Sequence, residues 1–221
     1  MCPERLDPLL QLGIRQITKG NTYVVWGSSG SGKTLFSILA ALSRTALGER
    51  VLFATRLAEG AGRLKTLSKA HGLTEEMLER IITLDIDSKN TEAALIEITR
   101  QGLSSTVIVD TITASYLTYV SENPELLFQR NRLLASFLAE LHYYRRNENL
   151  VLILTADSGQ EPRDQPIAGH VLNYFADMTI HLRKKDMTNS GEAYMREAGD
   201  AVTTRYSYTL DYLGFNSGGN R

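Results

Sequence analysis

Residues 27–34 read GSSGSGKT, which is the complete G-x-x-x-x-G-K-[ST] pattern of a phosphate-binding loop. Glycines at these positions let the backbone pass close to an anion, and the loop N–H groups converge at a helix N-terminus that favours negative charge. Lys33 is expected to reach the outer phosphates, and the Thr34 hydroxyl to ligate Mg²⁺. We predict ATP and Mg²⁺ as cofactors. The predicted phosphate-binding residues are Gly27, Ser28, Ser29, Gly30, Ser31, Gly32, Lys33 and Thr34.

An ordinary Gly/Ser turn is the alternative interpretation of this stretch. The segments on either side argue against it, because the apolar run TYVVW precedes the loop and the helical run KTLFSILAALSR follows it. A strand, the loop and then a helix is the arrangement that the motif requires.

Short β-branched runs alternate with helical stretches along the whole chain, which predicts an α/β fold with a mostly parallel sheet flanked by helices. The predicted strands are Thr22–Trp26, Arg50–Thr55, Ile81–Ile86, Ser105–Asp110, Leu150–Thr155 and Met178–Arg183. The predicted helices are Lys33–Leu47, Thr91–Arg100 with Asn90 as its cap, and Pro124–Arg146 with Asn123 as its cap. The alternating stretch Thr203–Leu213 predicts an antiparallel strand at the edge. With no Gly/Ser linker, residues 1–221 are predicted to form a single domain.

Asp110 ends the apolar strand TVIVD, where a carboxylate is expected to hold Mg²⁺ or a water bound to it. Many strands end in Asp, so the assignment depends on the phosphate-binding loop. The segments VLFAT and TLDI lie between the two motifs along the chain. Another strand is therefore expected to separate the two motif strands in the sheet.

Composition excludes several classes of protein. The net charge of −1 argues against a basic body wrapped by nucleic acid. The absence of any apolar stretch near 18 residues argues against a membrane protein. The single cysteine, Cys2, has no partner for an internal disulfide, which fits a cytoplasmic location. The four histidines show no metal-ligand spacing.

Four stretches of the chain resemble the RecA/RadA recombinase superfamily, in particular its short archaeal RadA paralogues of the RadB-like and KaiC-like kind. They are RLDPLLQLGI from Arg5, VIVDTITASY from Val107, PELLFQRNRLLASFLAEL from Pro124 and PIAGHVLNYFADMTIHLRK from Pro166. The resemblance covers about residues 5–213 and implies a RecA-like P-loop NTPase core. Residues 1–20 match the segment before the first core strand, so no N-terminal helical DNA-binding domain is expected.

The resemblance also implies roles for residues outside the loop. Arg63 matches the arginine that stacks on adenine, although a solvated helix residue is the alternative. The family glutamate that activates the attacking water falls on Arg56. Glu59, three residues later, is a candidate catalytic residue that could substitute only if the loop is reshaped. The family Asn-Gln sensor falls on Thr155–Ala156, and Gln160 lies further on. Because positioning of water is a large part of phosphoryl transfer, we expect ATP binding with slow or negligible hydrolysis.

The two DNA-binding loops of the family correspond to residues 118–125 and 157–165. The first is acidic, and Arg163 is the only cation of the second, so we expect at most weak binding of single-stranded DNA. Arg145 and Arg146, or the run Arg183–Lys185, are further candidate phosphate contacts. Each has a plainer interpretation, as a complement to a helix dipole or as a solvated turn. The side chains of Tyr206, Tyr208 and Tyr212 are expected either to stack on bases or, in preference, to cover the sheet edge.

These features together predict an ATP-binding RadA paralogue that modulates homologous recombination and DNA repair. Its expected partners are a recombinase or another RecA-family paralogue, in a homo- or hetero-oligomer. Two alternatives stay open at this point. One is a KaiC-like regulatory ATPase in signalling, and the other is a subunit of a hetero-oligomer in which the nucleotide is purely structural.

Overall fold

The fold is taken from a computed structural model, which describes residues 3–87, 90–113, 124–159, 165–185, 188–200 and 202–217. Within those ranges, only the backbone is described for residues 3, 57–59 and 124.

Nine strands lie in the described part of the chain; the first six alternate with helices, and the last three follow one another directly. The strands are β1 Thr22–Gly27, β2 Val51–Thr55, β3 Ile81–Asp85, β4 Thr106–Asp110, β5 Val151–Asp157, β6 Met178–Lys184, β7 Ser190–Glu197, β8 Thr204–Leu210 and β9 Phe215–Ser217. The α-helices are α1 Pro8–Gln11, α2 Lys33–Ala46, α3 Leu57–Ala70, α4 Glu75–Leu78, α5 Thr91–Arg100, α6 Leu127–Glu148 and α7 Gly169–Phe175. Turns of 3-10 helix occupy Pro3–Leu6 and Pro124–Leu126.

All nine strands form one sheet in the order β3-β2-β4-β5-β1-β6-β7-β8-β9. The first six strands in this order, β3, β2, β4, β5, β1 and β6, run parallel to one another. Strands β6, β7, β8 and β9 pair antiparallel. This confirms the predicted α/β class, with a mostly parallel centre and an antiparallel C-terminal edge. A strand does separate β1 from β4, and it is β5; β2 and β3 lie on the far side of β4.

Helices cover both faces of the parallel part of the sheet, which explains why its central strands are so apolar. On one face, α2 contributes Leu35, Phe36, Ile38 and Leu39 to a core that also contains Val25, Phe53 and Ile153. On the other face, α5, α6 and α7 contribute Leu95, Leu138 and Leu172 to a core that contains Trp26, Val109 and Leu154. Burial of each large side chain stabilises the fold by about 1.5–3 kcal/mol.

The N-terminal segment is fastened to the core and to the C-terminal strands. The buried carboxylate of Asp7 accepts hydrogen bonds from the N–H groups of Leu9, Leu10 and Ile17, so it caps α1. Gln11 Oε1 accepts a hydrogen bond from Phe215 N at 2.9 Å. This segment therefore holds the β8–β9 hairpin, which lies next to the phosphate-binding loop.

Some local predictions differ from the structure. Helix α6 begins at Leu127 after a turn of 3-10 helix and continues to Glu148, while its predicted cap, Asn123, lies outside the described residues. Asn90 stands at the N-cap position of α5, but its side chain makes no capping hydrogen bond. Strands β7 and β9 were not predicted. No described helix has the length and apolar character that crossing a membrane requires.

Candidate functional site

The loop between β1 and α2 has a backbone that only glycine fits well at two points. Gly32 has φ = 105° at the N-cap of α2, and a Cβ there would lie 3.1 Å from side-chain atoms of Leu210 and Phe215. A Cβ on Gly27 would lie 2.2 Å from the carbonyl oxygen of Leu182. Because glycine has no Cβ, the loop can pack closely against both β6 and the C-terminal hairpin.

The C-terminal hairpin formed by β8 and β9 contacts the phosphate-binding loop. Tyr208 is 1% exposed, and its Oη donates a hydrogen bond to Ser31 O at 3.0 Å. Burial raises the pKa of this phenol, so it remains a donor. Tyr208 cannot stack on a nucleic-acid base, because its ring is enclosed by the core. Tyr208 packs into the core from β8, which lies between β7 and β9, whereas Tyr212 is 81% exposed, so the expectation that these two tyrosines cover the sheet edge is not confirmed.

The ammonium group of Lys33 lies at the centre of the site, and the residue is 8% exposed. Its Nζ donates hydrogen bonds to the carbonyl oxygens of Gly27 at 2.8 Å and Ser28 at 3.0 Å. It also lies 3.1 Å from Asp157 Oδ1. A lysine has three N–H donors. The three neighbours therefore account for all of them, and an incoming anion must displace at least one.

Asp110 lies at the carboxyl end of β4 beside Thr34. Its Oδ1 accepts a hydrogen bond from Thr155 Oγ1 at 2.6 Å, and the Thr34 hydroxyl also hydrogen-bonds this carboxyl. Burial raises the pKa of Asp110, while the bonds from Thr155 and Thr34 and the charge of Lys33 oppose the rise. A hydroxyl and a carboxylate side by side are oxygen ligands of the kind that Mg²⁺ prefers.

Asp157 is a member of the site that the sequence analysis did not single out. It ends β5 directly opposite Gly27 of β1, and Thr113 Oγ1 accepts a hydrogen bond from its backbone N at 3.2 Å. Ala156, at the predicted sensor position, is fully buried in the core, whereas Thr155 and Asp157 point their side chains toward Asp110 and Lys33. The available signal was a carboxylate at the end of a buried strand, the same signal that identified Asp110.

A cavity of about 360 Å³ lies over these groups. Its lining residues are Ser29, Gly30, Gly32, Lys33, Thr34, Leu35, Thr55, Arg56, Gly60, Arg63, Asp110, Thr111, Asp157, Leu210 and Asp211. The predicted adenine-stacking residue Arg63 thus shares a cavity with the loop and is solvent-exposed. Arg56 also lines the cavity, and its Nε lies 3.5 Å from Asp87 Oδ2. Glu59 lies in the first turn of α3, but its side chain lies outside the described residues.

The chemistry of this cavity suits a nucleotide carrying Mg²⁺. A buried ammonium, a helix N-terminus and loop amides favour phosphate oxygens. The described residues contain no cluster of three acidic, histidine or cysteine side chains. That is compatible with Mg²⁺, which takes one or two carboxylates together with phosphates and water.

Two of the predicted DNA contacts that the structure describes, Arg145 and Arg146, differ in their exposure. Arg145 is 6% exposed and its Nη1 donates to Asp177 Oδ2 at 2.7 Å and to Gly20 O. The prediction that Arg145 contacts DNA is wrong, because this guanidinium is buried between α6 and the start of β6. Arg146, its neighbour, is exposed. Arg163, Gln160 and most of both predicted DNA loops lie outside the described residues.

Comparison with known proteins supports the predicted resemblance. The chain is 23% identical over 215 residues to a DNA repair and recombination protein RadB from Methanococcoides burtonii, covering 93% of this chain and 92% of that protein. A crystal structure of the RadB recombinase superposes with a TM-score of 0.74 at 21% identity, over 95% of this chain and 96% of that one. No protein-family model matches. The predicted resemblance to the RecA/RadA superfamily, of the RadB-like kind, is confirmed.

Proposed function

We propose that this chain is an ATP-binding RadA paralogue that modulates homologous recombination and DNA repair. The proposal of ATP binding rests on one observation, that Lys33, Thr34 and Asp110 line the same cavity. The recombination part is supported by similarity to a DNA repair and recombination protein RadB along 93% of the chain.

ATP would be held by the loop amides and Lys33, with Mg²⁺ between Thr34 and Asp110. A bound Mg²⁺ neutralises phosphate charge and orients the outer phosphate. Arg63 would cover the base, since a planar guanidinium packs well on an aromatic ring. Each group belongs to this chain, and all line the same cavity.

Hydrolysis is proposed to be slow, because Arg56 stands where the family resemblance expects the water-activating glutamate. A guanidinium cannot accept a proton at neutral pH. Its charge instead favours retention of the triphosphate. The protein would then act as a nucleotide-dependent binding partner rather than as a fast ATPase.

The proposed partner is a recombinase of the same superfamily, and the proposed effect is a change in its assembly or strand exchange. The test combines the purified chain with such a recombinase in the presence and absence of MgATP. We expect a complex whose affinity depends on MgATP, and a changed rate of strand exchange. The Lys33→Ala variant should lose the nucleotide dependence. Absence of a complex and of any effect on strand exchange in both conditions would refute this role.

A further inference from the structure

One side of α3 lines the nucleotide cavity and carries two arginines. Arg56, Gly60 and Arg63 all line the cavity, and their spacing of four and then three residues places them on the same side of the helix. A Cβ on Gly60 would lie 2.6 Å from side-chain atoms of Thr55, so α3 begins tightly against the end of β2. At a rise of about 1.5 Å per residue, the two arginines are separated by roughly 10 Å along the helix. They are therefore placed beside different parts of a bound nucleotide.

Arg56 stands at the end of the cavity where the outer phosphates would bind. It directly follows Thr55, and Thr55 pairs with Asp110 in the register of β2 and β4. The Thr34 hydroxyl hydrogen-bonds the Asp110 carboxyl, and these two groups are the proposed Mg²⁺ ligands. A Mg²⁺ ion in such a site bridges the β- and γ-phosphates. Arg56 is therefore the arginine nearer to the γ-phosphate, whereas Arg63 is assigned to the base.

The ion pair of Arg56 differs from that of Lys33. Lys33 Nζ lies 3.1 Å from Asp157 Oδ1, and both of these residues line the cavity. The partner of Arg56 is Asp87, which is not among the described residues that line the cavity. The contact joins Arg56 Nε to Asp87 Oδ2 at 3.5 Å, and the two side chains are 53% and 58% exposed. Ion pairs as exposed as this one stabilise little, so Arg56 can leave Asp87 for a ligand at low cost.

A guanidinium is well matched to a terminal phosphate. Its planar N–H donors pair with two phosphate oxygens at once, and hydrogen bonds between charged groups are stronger than neutral ones. The loop amides and Arg63 would contact the β-phosphate and the base, which ATP and ADP share. Lys33 reaches both outer phosphates, so it contributes to the binding of either nucleotide. Arg56 therefore adds a contact that ATP receives and ADP does not.

We propose that Arg56 is the residue by which this chain distinguishes ATP from ADP, because its guanidinium leaves Asp87 and binds the γ-phosphate. The inference rests on the proposed function and deepens it, since it names the nucleotide state that the chain would signal to a partner. Asp87 N donates a hydrogen bond to Asp85 Oδ1 at 3.3 Å, and Asp85 ends β3, an edge strand of the sheet. The turn after this edge strand would therefore lose its contact with Arg56 only when ATP is bound.

The experiment titrates MgATP and, separately, MgADP into the full chain by calorimetry. Wild type should bind MgATP about tenfold more tightly than MgADP, which is the size expected of one partly exposed contact between charged groups. Arg56→Ala should lose that factor for MgATP and keep its affinity for MgADP within about twofold. Arg56→Lys keeps the charge without the planar fork, so it should retain roughly a threefold preference for MgATP.

Arg63→Ala is the matched control, since Arg63 lies on the same side of α3 and would contact the base. It should weaken MgATP and MgADP by the same factor, so the preference for MgATP stays. Thermal melts of all variants establish that they are folded.

Three results would overturn the inference while leaving ATP binding in place. They are equal affinities of wild type for the two nucleotides, a preference for MgATP that Arg56→Ala retains, and an equal loss of affinity for both nucleotides in Arg56→Ala. Absence of heat with either nucleotide in wild type would instead refute the proposed nucleotide site, and this inference with it.

Discussion

Lys33 Nζ lies 3.1 Å from Asp157 Oδ1. The ammonium group that would bind a phosphate is therefore paired with a carboxylate. Because Asp157 ends β5 opposite Gly27, the contact follows from the pairing of two neighbouring parallel strands. A nucleotide must compete with this carboxylate, and its negative charge also lies close to the place where a polyphosphate would bind.

The first prediction is that Asp157→Asn binds MgATP more tightly than wild type. The amide keeps the shape of the side chain and removes the competing charge. Since Asp157 is 38% exposed, we expect a gain of about 1 kcal/mol, or roughly fivefold in affinity. Titration calorimetry measures it. The control is Asp87→Asn, which removes a carboxylate that pairs with Arg56 at the cavity edge and should leave affinity within about twofold. Weaker binding by Asp157→Asn would show that the carboxylate helps to hold the ligand.

The second prediction concerns catalysis. Arg56→Ala should leave ATP hydrolysis near the background rate, because Arg56 has no capacity to activate water. Phosphate release under excess MgATP is the measurement. The contrasting variant is Glu59→Gln. Robust wild-type turnover that collapses in Glu59→Gln would mean that the first turn of α3 supplies the catalytic carboxylate.

The third prediction separates two adjacent arginines. Arg145→Ala removes a buried guanidinium from Asp177 and Gly20 O, and should lower the free energy of unfolding by about 2–3 kcal/mol. The loss is smaller than for a fully buried pair, because Asp177 keeps 39% exposure. Arg146→Ala should change it by less than about 0.5 kcal/mol. Denaturant titration compares the two. Equal effects would contradict the structural role given to Arg145.

The fourth prediction tests the support beneath the phosphate-binding loop. Tyr208→Phe removes the hydrogen bond to Ser31 O and leaves the ring in place. We expect a loss of about 1 kcal/mol in the free energy of unfolding, hence a fall of about 2–4 °C in melting temperature. Affinity for MgATP should fall as well, since the loop is less constrained. Tyr212→Phe, at an exposed tyrosine, should alter neither quantity. An unchanged melting temperature in Tyr208→Phe would show that the hydrogen bond from the hairpin does not stabilise the phosphate-binding loop.

The parts of the site that could be predicted are those that one short stretch of sequence specifies. Lys33 and Thr34 lie in a continuous motif between a strand and a helix, so no tertiary information is needed to place them. Asp110 was predicted because it ends an apolar strand, and the structure brings it next to Thr34. The order of apolar strands and amphipathic helices likewise predicted the parallel part of the sheet.

The parts that could not be predicted depend on which strands become neighbours. Asp157 contacts Lys33 because β5 pairs with β1, although the two strands are more than a hundred residues apart along the chain. Arg145 is buried because folding brings Gly20 and Asp177 to it.

Calorimetric titration of MgATP into the folded full-length chain, with Lys33→Ala alongside, tests whether the cavity over Lys33, Thr34 and Asp110 is a nucleotide site. We predict a saturable heat with one nucleotide per chain for wild type, and none for Lys33→Ala, whose melting temperature without nucleotide should show that it is folded. No heat from wild-type protein that is pure and folded would contradict the assignment of the cavity and the ATP-dependent function built on it.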